Sequence, residues 1–90
     1  ETNFMILRNH GLLTCASSIA DAFLFMYLLE RSCEIQLKAQ STGCDLLPIP
    51  DAILGGIRAQ AQQVTRSAGG ALAWPGILRK LDRINPGYDK

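Results

Sequence analysis

Apolar residues fall into two regimes along the first forty positions: short blocks cut by polar turns, then a long stretch at helical spacing. Phe4 to Leu7 is a short apolar block with a charge and a turn after it, which predicts a buried strand. Asn9-His10-Gly11 supplies the turn, because Asn and Gly tolerate the left-handed backbone of tight connections. Leu12 to Cys15 predicts a second strand. The pair forms a hairpin or belongs to a wider sheet. A lone hairpin is barely stable in water, so these strands need partners in the following helices or in other strands.

Ser18 opens the clearest helix. Ser18-Ile19-Ala20-Asp21 resembles a capping box with Asp in the place of Glu, and Asp21 lies near the positive end of the helix dipole. Ile19, Ala22, Phe23, Met26, Leu29 and Cys33 recur at three- and four-residue spacing and make one apolar stripe. Leu24, Phe25 and Leu28 lie off it, so the first half is apolar nearly all round, as in a helix buried within a larger body. The second half has a polar side, where Glu34 and Lys38 are spaced to pair. Ser41-Thr42-Gly43 ends the helix. At ~1.5 Å per residue it is about 34 Å long, more than a chain of this size needs.

Leu46 to Pro50 reads as a linker, since each proline keeps its predecessor extended. A second helix is expected over 50–66. Ala52, Ile53, Ile57, Ala61 and Val64 give it a weak stripe, and Gly55-Gly56 costs it about 1 kcal/mol per glycine. Gly69-Gly70 is expected to break it. A third helix is expected over 74–84, with Pro75 in its first turn and Trp74, Leu78 and Leu81 on its apolar side. Arg79, Lys80 and Arg83 lie opposite, and Asn85-Pro86-Gly87-Tyr88 is a turn. The expectation is an α/β chain of two short strands, a strand-turn-strand over 1–16, followed by about three helices, the first over 18–40.

Composition narrows the partners. The ninety residues carry a net charge of +1, which gives no reason to expect nucleic acid or an anionic membrane. At 48% apolar and 19% charged the chain is globular rather than disordered. The longest apolar-rich run, Ile19 to Leu29, is short of the ~20 residues of a membrane span and contains Asp21. No signal peptide is evident, and the lack of an initiator Met suggests a portion of a longer protein. Cys15, Cys33 and Cys44 form no C-x-x-C pair, so neither a zinc ribbon nor a redox motif is indicated. Reduced thiols and a cytoplasmic location are expected.

Candidate chemistry centres on His10, the one histidine. A catalytic zinc site takes three protein ligands and an open position, and spacing offers no second ligand nearby. On spacing alone His10 is a turn histidine satisfied by hydrogen bonds. Arg8 beside it could meet a phosphate or carboxylate, although such an arginine is more commonly structural or solvated. Glu30 and Glu34 form a solvated helix face. Tyr27 could donate a proton across a subunit interface, although its place on an apolar helix favours core packing. Arg79, Lys80 and Arg83 could form a basic patch, but Asp82 among them favours an ordinary polar face.

A wider pattern changes the weight on His10. Ile6-Leu7-Arg8-Asn9-His10-Gly11-Leu12-Leu13, then Ala22-Phe23, then Leu29-Glu30-Arg31-Ser32-Cys33-Glu34-Ile35-Gln36 resembles the signature of the class II aldolase/adducin family, in motif and in spacing. The resemblance is firm from Phe4 to Ala39. It continues less specifically through Leu81-Asp82-Arg83 and Asn85 to Tyr88, which look like the tail of bacterial members. Ala16 departs from the glycine of many relatives, at the turn before the helix.

The resemblance implies that residues 1–90 are the C-terminal portion of one layered α/β domain of class II aldolase type. It implies that His10 is the last of three metal ligands, the other two coming from an upstream H-x-H preceded by an acid/base Glu. No catalytic acid or base is assigned within the chain, and no substrate-binding residue. The cofactor implied for the complete protein is a divalent metal, zinc foremost. The reaction implied is aldol cleavage or epimerisation of a sugar phosphate or related hydroxy carbonyl compound, the metal stabilising an enediolate. The chain alone is not expected to be active. Implied partners are a small-molecule substrate, the remaining N-terminal part of the same protein and further copies of it, since relatives form tetramers.

Two other readings stand beside this one. Adducin heads share the signature but serve as interaction modules without catalysis. A small helical domain with an N-terminal hairpin and no site would instead fold alone as a compact monomer.

Overall fold

The computed structural model describes residues 2–65 and 69–90. Strand β1 (Phe4–Leu7) pairs antiparallel with β2 (Gly11–Thr14) in the register Phe4–Thr14, Met5–Leu13, Ile6–Leu12 and Leu7–Gly11. At its open end the hairpin is closed by two further bonds. The Cys15 N–H donates to the Asn3 carbonyl, and the Asn3 amide donates to the Cys15 carbonyl, both at 2.9 Å.

Helix α1 (Ile19–Ser41) follows. The Asp21 N–H donates to the Ser18 hydroxyl at 3.1 Å, so Ser18 is the N-cap. The reciprocal half of the expected box does not form, because the Asp21 carboxylate turns instead to Gly70 on the last helix. At the far end Gly43 (φ +73) takes the left-handed conformation that releases the chain from the helix. On the polar face Glu34 pairs with Arg31 at 2.6 Å and with Lys38 at 3.1 Å.

The middle helical stretch is divided. It consists of α2 (Asp51–Leu54) and α3 (Ile57–Thr65), with a turn at Gly55-Gly56 between them. The expected single helix over 50–66 breaks at the glycine pair, where fixing the backbone costs most entropy. The side chain of Val64 and the expected helix end at Arg66 lie outside the described residues.

Helix α4 (Gly69–Ile84) begins five residues before the expected start, and Pro75 lies within it. Gly69 and Gly70 open this helix. The early start has a tertiary cause. The Gly70 N–H, which would be unsatisfied at a helix N-terminus, donates to the Asp21 carboxylate at 3.1 Å. Pro75 removes the bond to the Ala71 carbonyl that a residue with an N–H would make, and Ala71-Leu72-Ala73, all good helix formers, carry the turn before it.

Helix α1 is the hub. Its Phe25 ring packs on Phe4 of β1, with centroids 5.1 Å apart. The Thr14 hydroxyl of β2 donates to the Ala22 carbonyl at 2.9 Å. Phe23 meets Trp74 of α4 edge-on at 5.6 Å. The apolar residues of the first half therefore serve two neighbours, hairpin and α4, while Ile19 remains 78% exposed. Tyr27, expected in a core, is half exposed and stacks under the Arg31 guanidinium, 5.4 Å from the ring centroid.

Among the described residues no hydrophobic side chain is fully buried. The accessible surface is 7875 Å², against roughly 5200 Å² for a compact chain of this mass. The radius of gyration is 16.3 Å, where about 12 Å is typical of a domain this long. The described residues thus form a more open arrangement than a compact domain of this length.

Candidate functional site

The hairpin tip holds the residues of interest. Three residues, Arg8, Asn9 and His10, connect the last strand pair, Leu7 and Gly11. The His10 N–H donates to the Leu7 carbonyl at 3.2 Å and closes the turn. Asn9 takes φ +63, the one left-handed non-glycine conformation among the described residues. Asn tolerates it better than most residues. Gly11 takes φ +140, which an L side chain rarely adopts. Each position of the Asn-His-Gly sequence thus has a backbone reason. Asn and Gly bend the chain, and His10 is held between them at a defined place.

His10 is exposed, and none of the hydrogen bonds among the described residues engages its ring. Either imidazole nitrogen is available, which fits a metal ligand whose position is set by the backbone. Among the described residues no three His, Cys, Asp or Glu side chains gather into a metal-binding group. Cys15 and Cys44 are exposed, Cys33 is half-buried, and none of the three is disulfide-bonded. The tip thus presents one imidazole, with no group of further candidate ligands gathered around it among the described residues.

Arg8 is the neighbouring cation, exposed on the same three-residue connection. The other candidates lie apart. Arg31, Glu34 and Lys38 are engaged with one another along α1. The Glu34 carboxylate first, and the Tyr27 hydroxyl after it, hold Arg31 more firmly in its charged form.

One functional-looking feature escaped the sequence. A cavity of about 600 Å³ opens beside the hairpin's open end, lined by Asn3, Phe4, Asp21, Leu24, Phe25 and Gly70 among others. His10 does not line it. No local signal could have revealed it, because the bond that frames it joins residues 49 positions apart. Among the described residues no helix is long and apolar enough to cross a membrane.

Comparison with known proteins covers the hairpin and the helix after it. The sequence profile of the "Class II Aldolase and Adducin N-terminal domain" matches residues 1–37, the hairpin and most of α1. A Pseudomonas aeruginosa protein named "Putative aldolase class 2 protein" is 58% identical over 90 residues, which cover 97% of this chain and 35% of that protein. One of the same name from Caulobacter vibrioides is 44% identical over 89 residues, 98% of this chain and 34% of that protein. Rat alpha-adducin is 31% identical over 97 residues, 93% of this chain and 13% of its own length. The chain thus spans about a third of the length of these bacterial relatives. No solved structure matches.

Proposed function

Because the chain belongs to the class II aldolase/adducin family, we propose that the complete protein is a metal-dependent aldolase or epimerase in which His10 is one metal ligand. The substrate class is a sugar phosphate or related hydroxy carbonyl compound. The observation that carries this reading is the tip itself, where an Asn-His-Gly turn presents an unengaged imidazole at a fixed backbone position.

His10 would bind as the neutral imidazole, leaving the positive charge of a divalent ion undiminished. Zinc suits a site containing a histidine. Once bound, such an ion supplies Lewis-acid polarisation of a carbonyl oxygen and stabilises negative charge that develops there. The chain's own contribution is positional. The Leu7–His10 hydrogen bond and the bends at Asn9 and Gly11 fix the backbone from which the imidazole projects. Further ligands, the acid/base group and most of the substrate contacts belong to the rest of the protein in this reading. A homo-oligomer in the cytoplasm completes it.

Metal analysis of the complete protein, purified without chelator, tests it. The expected result is one divalent ion per chain, zinc foremost, lost from His10→Ala together with aldol cleavage or epimerisation activity. A well-folded protein that binds no divalent ion, or a His10→Ala variant that keeps it, would overturn the proposal. The adducin-like scaffold would then remain. It has the weaker support, since the adducin likeness is 31% against 58% for the bacterial relative.

A further inference from the structure

Arg8 is an isolated charge. Between Thr2 and Ala20 it is the only Lys or Arg, and that stretch holds no Asp or Glu. The first acid after it, Asp21, is engaged elsewhere, accepting from the Gly70 N–H. It also lies at the wrong end. Asp21 shares a cavity with Thr2, Asn3 and Cys15 at the hairpin's open end, and the four paired positions of the hairpin separate that end from the tip. At about 3.4 Å per residue this is roughly 10 Å. Glu34 pairs with Arg31 and Lys38, and Arg8 takes part in no ion pair among the described residues.

A guanidinium is a planar fork of donors that matches paired anionic oxygens. Here it stands two residues from the imidazole that would carry a cation, on a connection whose backbone is pinned. Two positive centres side by side repel unless an anion lies between them. We propose that Arg8 binds the anionic end of the substrate, a phosphate or a carboxylate, and so determines specificity for charged over neutral hydroxy carbonyl compounds. This rests on the reading of His10 as a metal ligand. Arg8 contributes binding and orientation, and no proton transfer.

The test uses the complete protein, titrated separately with inorganic phosphate and with glycolate and followed by calorimetry, with metal content and thermal unfolding measured on the same samples. At least one anion is expected to bind, and the tighter one identifies the anionic end. Arg8→Gln is expected to weaken that binding by about tenfold, the scale of losing charge-assisted hydrogen bonds. Its metal content and melting temperature should be unchanged, and Arg8→Lys should recover part of the affinity. Binding of neither anion, equal affinity in Arg8→Gln, or a loss that accompanies lost metal or fold and is not recovered by Arg8→Lys would overturn the proposal. A protein that binds no metal yet loses anion binding in Arg8→Gln would remove the enzyme reading and the substrate role with it, leaving Arg8 as an anion-binding residue.

Discussion

At the residue scale the tightest fit is a glycine. Gly70 is the one buried position among the residues whose burial is described. A β-carbon there would stand 2.6 Å from the Asp21 nitrogen and 2.7 Å from the Ala20 carbonyl carbon, and closer still to the Asp21 carboxylate. Backbone cannot yield as a flexible side chain can, so α4 would have to move off α1. Gly70→Ala in the complete protein is expected to cost about 1–3 kcal/mol, the range of overpacked sites. Asp21→Ala removes the partner of the Gly70 N–H and should cost about 1–2 kcal/mol. Denaturant unfolding measures both, and an unchanged midpoint for Gly70→Ala would mean the two helix starts do not meet. Gly70 reads in the sequence only as a helix breaker. Its packing role depends on a segment far away along the chain.

At the element scale β1 stands out. Phe4, Met5, Ile6 and Leu7 are apolar on both faces of the strand, and all four are 37% or more exposed. In β2, by contrast, Leu12 and Thr14 are half-buried while Gly11 and Leu13 are exposed. A strand apolar on both faces belongs in the interior of a sheet covered on each side, and β1 has one unpaired edge in the two-stranded order β1-β2. A further strand is therefore expected along β1 in the complete protein. Hydrogen exchange checks this: the β1 amides that do not bond β2 should be protected, and fast exchange there would refute the added strand. The strands, the turn, the long helix and its serine cap were all legible in the sequence, because each depends on residues within a few positions. The break in the middle helix was signalled by its glycine pair but read as a weakness rather than an end. The early start of α4 was not legible, since Pro75 marks a first turn by local rules and only Asp21 explains the turns before it.

At the scale of the whole molecule the surface excess decides the matter. A chain with 7875 Å² of surface and no buried hydrophobic side chain among its described residues sets little apolar burial against its conformational entropy. Residues 1–90 prepared alone are expected to self-associate or to bind a hydrophobic dye, as measured by sedimentation and fluorescence. A monodisperse, dye-silent monomer would contradict this. The same incompleteness limits how far the site could be read. His10 and its turn are local and were visible in Asn9-His10-Gly11. A metal centre is a meeting of distant segments, and one ligand cannot specify the others.

The stretch from Asp45 to Ile49 joins α1 to the later helices without a backbone hydrogen bond among the described residues, and Leu47 is 94% exposed. The halves on either side touch through Phe23 against Trp74 and Asp21 against Gly70, contacts that do not depend on the joining peptide being intact. A protease is expected to cut the complete protein within this stretch, leaving the two halves joined through those contacts and whatever the rest of the protein adds.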